Sequence, residues 1–128
     1  MTEQIIDRLL KTLDVAIDAF AICQVDSGLK LVARGGPDIE VHYVLSGTMY
    51  IAVAGDPPVV CGPGSIVLVP PHVRQVIGAD PAVGREVLAI DNCTQTGAGL
   101  VKFDVTNGGN GDLRFVCGLI TANISGSF

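Results

Sequence analysis

Glu40-Val-His-Tyr-Val-Leu-Ser-Gly47, followed by Cys61-Gly-Pro-Gly-Ser-Ile-Val-Leu-Val-Pro70, is the part of this 128-residue chain from which its fold is read. β-branched, aliphatic and aromatic side chains dominate residues 39–45, the composition of a strand. Ser46-Gly47 breaks the run before residues 48–53 resume it. Alternate residues of a strand share a face, so Glu40, His42 and Val44 point the same way. Cys61-Gly-Pro-Gly64 reads as a tight turn. Residues 65–69 read as an aliphatic strand of the kind buried on both sides, and Pro70-Pro71 as its end.

The same signals recur outward from this centre. Residues 20–25 and 29–33 flank Asp26-Ser27-Gly28, a turn-forming trio, and read as a hairpin. Turns follow at 34–38 and around Pro57-Pro58, with a short strand at 59–60. Residues 73–77 and 86–90 are strands on either side of a loop at 78–84, and 92–98 is polar and poorly patterned. Residues 101–105 and 113–120 bracket the loop Asn107-Gly-Gly-Asn-Gly-Asp112. Eight or more short strands, each ended by a turn, predict an all-β domain over about 18–120, an antiparallel sandwich or jelly-roll barrel. Ahead of it, Ile6, Leu9, Leu10, Leu13 and Ile17 recur at steps of three and four, with Thr2 as N-cap. A short helix over 3–13 is therefore expected, packed on an end or face of the barrel or against a second subunit. Residues 121–128, small and polar, read as a tail.

Composition bounds the function. At 128 residues and 48% hydrophobic content, the chain makes a single domain, 1–128, with a real core. No run of eighteen apolar residues is present, and residues 1–7 do not have the form of a signal peptide, so a cytoplasmic protein without a membrane span is expected. Four widely separated cysteines form no Cys-x-x-Cys pair and are expected to be reduced, buried small hydrophobes. The net charge is −5 and the eight basic residues are scattered, so this chain is not expected to bind nucleic acid directly.

The quoted residues resemble the cupin superfamily. Gly28, Glu40 and Gly47 are spaced like its first motif, Gly-x5-His-x-His-x3-Glu-x6-Gly, with Arg34 and Gly36 at the two histidine positions. Gly64 and Pro70 match the second motif, Gly-x5-Pro-x-Gly-x2-His, with His72 at the inner glycine and Gln75 at the histidine. More narrowly, the strand ending in Gly47, the Gly-Pro-Gly turn, Gly108-Gly109 and Leu113-Arg-Phe-Val-Cys-Gly118 resemble the N-terminal cupin domain of AraC-type transcription regulators. Ser65 departs from that subgroup, which has an acidic residue after the turn glycine. The resemblance implies a metal-free barrel without catalytic residues or cofactor, which binds a small-molecule effector and forms a homodimer. A separate helix-turn-helix domain, absent from this chain, would read DNA.

Five residues are candidates for ligand binding: Arg34, Glu40, His42, His72 and Gln75. Glu40 and His42, on one strand face, either hydrogen-bond a ligand or satisfy each other or Arg34 at the barrel mouth. Arg34 either clamps a carboxylate or phosphate or pairs with Asp38 or Glu40 as an ordinary surface arginine. Two histidines and one glutamate are numerically enough for an unusual metal site, although His72, after two prolines, reads as a rim residue. No Ser-His-Asp set and no phosphate loop are present. The competing functions are a sensory and dimerisation module, a stand-alone metal-dependent cupin enzyme of oxygenase or isomerase type, and a cupin whose role is assembly.

Overall fold

The computed structural model describes residues 13–97 and 99–124. The helix expected over 3–13 lies outside them except for Leu13, which opens the first strand. The strands are β1 (Leu13–Val25), β2 (Leu29–Ala33), β3 (Ile39–Ser46), β4 (Met49–Val53), β5 (Val59–Cys61) and β6 (Ile66–Val69). They continue as β7 (Gln75–Gly78), β8 (Arg85–Leu88), β9 (Cys93–Gln95), β10 (Val101–Val105) and β11 (Leu113–Ile124). One turn of 3-10 helix, Ala89–Asn92, joins β8 to β9.

Two sheets face each other. The first has the order β6-β3-β11-β1-β10-β9, the second β5-β4-β7-β2-β8. The long pair β1 and β11 forms the centre of the first sheet, in register from Leu13 against Ile124 to Val25 against Leu113. Inward-facing residues of both sheets make the core, with Val25, Val44, Met49, Ile51, Ile77 and Phe115 each 2% exposed or less. This is the expected all-β sandwich, with two mixed sheets in place of wholly antiparallel ones: β1 runs parallel to β10, and β2 parallel to β8.

Residues 20–33 do not form a hairpin. β1 already has β11 on one edge and β10 on the other along its last five residues. A strand has only two edges, so β2 has no place beside it. Asp26-Ser27-Gly28 instead carries the chain across to the second sheet, where β2 pairs with β7 and β8. The turn is closed by the Leu29 N–H donating to the Asp26 carbonyl at 3.2 Å. It is fastened to the loop between β10 and β11, at the same end of the first sheet, by the Asn107 N–H on Asp26 Oδ2 at 2.8 Å and the Ser27 N–H on Asp112 Oδ2 at 2.9 Å.

Three further expectations are corrected. β6 is not buried on both sides: it is the edge of the first sheet, and Ile66 and Leu68 turn outward at 67% and 61% exposure while Val69 faces the core. The polar stretch 92–98 holds a short strand, β9, held by β10. β11 runs on to Ile124, through the start of the expected tail, because the early part of β1 pairs with it.

Two glycines are set by close backbone approach. A Cβ on Gly47, at φ +80°, would collide with the carbonyl of Asp112, and one on Gly35 would collide with the backbone of Val73. The crossing at Gly35 is tied by the His72 N–H donating to the Gly36 carbonyl at 2.9 Å. His72 itself has φ 62°, the left-handed conformation that disfavours a Cβ. The motif glycine position thus keeps its glycine-like backbone with a histidine in it. Relief of that strain exceeds the added chain entropy of glycine, so His72→Gly is expected to stabilise the fold by roughly 0.5–1 kcal/mol, seen as a higher urea midpoint.

Candidate functional site

A cavity of about 490 Å³ lies between the sheets. Leu31, His42, Gln75, Ile77, Phe115 and Cys117 line its buried depth, and the exposed Arg34, Leu88, Ile90 and Cys93 mark where it opens. Its position follows from the strands. Inward alternation on β3 delivers Glu40 and His42, while β11 delivers Phe115 and Cys117. β7 faces them from the other sheet with Gln75 and Ile77. A β-bulge in β1, where Ala19 pairs with Gly118 and Ala21 with Cys117, leaves Phe20 as the extra residue. The bulge reverses the strand's alternation: Ile17 and Ala19 line the outer face of the sheet, whereas Phe20 and Cys23 line the cavity.

The floor of the cavity is a directed chain of hydrogen bonds. Gln75 Nε2 donates to Glu40 Oε2 at 2.8 Å, because a carboxylate only accepts. That fixes the amide, so Gln75 Oε1 faces His42 Nε2 at 2.6 Å and Nε2 carries the proton. Burial holds His42 below its ordinary value of 6.5, against the opposing pull of the Gln75 bond and the Glu40 charge, so the ring is neutral. Its Nδ1 therefore accepts, and the Cys117 thiol donates to it at 3.0 Å. Cys117 Sγ in turn lies 3.3 Å from Cys23 Sγ, which donates to it. Burial, and then the neighbouring Cys23, push the Cys117 thiol well above its ordinary value. Phe115 closes one side of the imidazole edge-on, with centroids 5.4 Å apart. Every buried side-chain nitrogen and oxygen among the described residues has a partner.

The five sequence candidates separate into groups. Glu40, His42 and Gln75 are joined in one chain. Arg34 lines the cavity but is exposed and makes no ion pair or hydrogen bond among the described residues, so it pairs with neither Asp38 nor Glu40. His72 is exposed and does not line the cavity. Cys23 and Cys117 were expected to serve only as packing residues, yet they complete the polar chain. Cys117 stands directly opposite His42 in the β11–β3 register, a long-range pairing that no local pattern encodes.

The donor set does not fit a metal. Three of the four motif ligand positions hold Arg34, Gly36 and Gln75, both nitrogens of His42 are engaged, and Glu40 is the sole remaining oxygen donor of the motif. Among the described residues, no group of three or more His, Cys, Asp or Glu is placed to hold a metal ion. What the arrangement offers is recognition. The walls are apolar, and among the described residues Glu40 Oε1 is an acceptor without a hydrogen-bond partner and the Arg34 guanidinium at the opening has no hydrogen bond or ion pair.

The depressed His42 pKa has a measurable consequence. The unfolded chain takes up this proton below about pH 6.5 while the native ring stays neutral, so stability falls on acidification through that value. The slope is at most about 1.4 kcal/mol per pH unit, and it flattens below the depressed native value. Asp80 and Asp112 do not act in this window. Backbone N–H groups of Gly28 and Ser27, respectively, hold them below the usual carboxylate range, so their contributions persist above it and are lost only in stronger acid. Urea unfolding between about pH 7 and pH 5 should show this slope in the native chain and lose it in His42→Asn.

A family model described as Cupin matches residues 5–125, nearly the whole chain. No curated protein and no solved structure matches. With two facing sheets, the retained turn glycines and proline, and this match, the chain belongs to the cupin family.

Proposed function

We propose that this chain is the effector-sensing and dimerisation domain of an AraC-type transcription regulator, binding a small molecule without metal. The observation that carries the reading is the cavity floor. Its imidazole is engaged at both nitrogens, by Cys117 and by Gln75, which leaves neither of them free to ligate a metal. A volume of about 490 Å³ lies in the range of small-molecule sites. A metal-dependent oxygenase or isomerase needs open coordination positions on several well-aimed donors, which this donor set does not supply. In this reading DNA contact falls to a separate helix-turn-helix domain of the regulator.

The lining also narrows the ligand. Phe20, Phe103 and Phe115 favour an apolar, preferably cyclic, body. Glu40 Oε1 favours a hydroxyl donor within, and Arg34 favours an anionic group at the opening. Aromatic and alicyclic hydroxy acids meet all three conditions. In thermal-shift titrations, a member of this class should stabilise the protein by about 2.7 kcal/mol at a hundredfold excess over its Kd. Arg34→Ala should weaken the acid by about tenfold, one charge-assisted contact, and leave its neutral amide analogue unaffected. Stabilisation by iron, manganese, nickel or zinc ions, with none by the acids, would favour the enzyme reading.

In this reading two copies would pair through the outer face of the first sheet. Ile17, Tyr43, Ile66 and Leu68 are 61%, 44%, 67% and 61% exposed there, beside Val116 and Ile120. A contiguous apolar face of this kind marks an association surface, and a twofold pairing of two copies covers both at once. Sedimentation should give a concentration-dependent dimer, shifted to monomer by Leu68→Glu. A monomer at every concentration would remove this part of the proposal.

A further inference from the structure

Two sulfurs face each other at the inner end of the cavity. Cys23 on β1 and Cys117 on β11 sit on adjacent antiparallel strands, diagonal in register, since Cys117 pairs with Ala21 and Cys23 with Phe115. Both side chains turn inward, both are buried, and their Sγ atoms are 3.3 Å apart. A disulfide needs about 2.05 Å, so closure has to draw together two sulfurs that already touch. The pair is buried but not sealed, because both cysteines line the cavity that opens past Arg34 and Cys93. The remaining two cysteines differ: Cys61 lies on β5 in the other sheet, and Cys93 is exposed at the opening.

We propose that Cys23 and Cys117 are a redox pair, oxidised to an intramolecular disulfide by a small two-electron oxidant of the peroxide class that enters the cavity. Cys117 Sγ attacks one peroxide oxygen and the O–O bond breaks. The thiol proton leaves through His42 Nδ1, 3.0 Å away, to the departing hydroxide, which gives a sulfenic acid and one water. Cys23 Sγ then attacks the sulfenic sulfur, the S–O bond breaks, and the Cys23 proton leaves with that hydroxide as a second water. Two thiols lose two electrons in all, and one hydrogen peroxide becomes two waters. Because burial disfavours the free thiolate, attack and proton loss occur together, which is the role the position of His42 gives it.

The disulfide alters the site it borders. A disulfide has no S–H, so His42 Nδ1 loses its donor while Gln75 still holds Nε2. Oxidation thereby places a bare buried acceptor at the cavity floor, a state that the reduced protein does not contain. This inference rests on the sulfur and imidazole geometry and not on the effector reading, so either stands if the other fails.

The test is native oxidation by hydrogen peroxide, with diamide as a second probe, on the full chain and on a C61S/C93S variant. Intact mass should drop by two hydrogens in both proteins. Peptide mapping should recover a Cys23–Cys117 link that is reversed by dithiothreitol. The imidazole nitrogen resonances should report loss of the hydrogen bond at Nδ1 while Nε2 keeps its proton, a signature that mere burial of the cysteines would not move. His42→Phe should slow link formation by peroxide at least tenfold. Cys23 and Cys117 recovered as free thiols after both oxidants, with oxidation confined to Cys93 or Cys61, would overturn the proposal. So would a link that forms only after denaturation.

Discussion

One hydrogen-bonded chain spans the core and gives the interior its polarity. It starts at Cys23, passes through Cys117 and His42 within the first sheet, crosses to Gln75 in the second, and returns to Glu40. Each group has a fixed role because the last one, a carboxylate, can only accept. Reversing the Gln75 amide would set its oxygen against the carboxylate and its NH2 against the protonated His42 Nε2, two losses at once in a site of low dielectric. The chain therefore sets one tautomer and one sheet-to-sheet position, which apolar packing of aliphatic side chains alone does not impose.

This constraint accounts for what the sequence keeps and what it changes relative to the cupin motifs. The turn positions keep Gly47, Gly64 and Pro70, because they answer to backbone geometry; at Gly47 there is no room for a side chain beside Asp112. The ligand positions answer to chemistry, and three of the four are different. Glutamine at position 75 has both a donor and an acceptor on one amide, so it bridges an imidazole and a carboxylate that would otherwise meet at 3.8 Å without a shared proton. The result is a floor that is complete without an ion.

Much of the fold was legible where a local signal existed. The strand from Ile39, the face shared by Glu40, His42 and Val44, the break at Gly47 and the turn at Gly64 could all be read residue by residue. That this face is the inner one came from the pairing of β3 with β11 and β6. What failed was long-range. Residues 20–33 look like a hairpin because a turn reports that the chain reverses, not which edge is free, and β11 and β10 had already taken both edges of β1. Ile66 and Leu68 look like core because aliphatic composition does not say whether a strand is central or at an edge. Phe20 was hidden by a bulge that breaks the period-two pattern on which such readings depend. Cys117 was ambiguous for the same reason: only pairing with β3 puts a thiol opposite an imidazole.

β3 and β11 serve both surfaces of their sheet, which constrains how a ligand signal can travel. Glu40, His42, Phe115 and Cys117 face the cavity, while the intervening Val41, Tyr43 and Val116 face outward on the proposed dimer surface. Adjacent residues of a strand share one backbone, so a displacement of His42 along the sheet normal displaces Val41 and Tyr43 with it. A ligand that binds equally well to both placements changes nothing at the outer face, however tight it is. If the proposed effector is to act on the proposed dimer surface, it must touch the floor, where Gln75 ties β3 to the opposite sheet, and not be held by Arg34 at the opening alone. The proposed disulfide between β1 and β11 would act on these same strands, so the proposed redox state and the proposed dimer surface would meet at this floor.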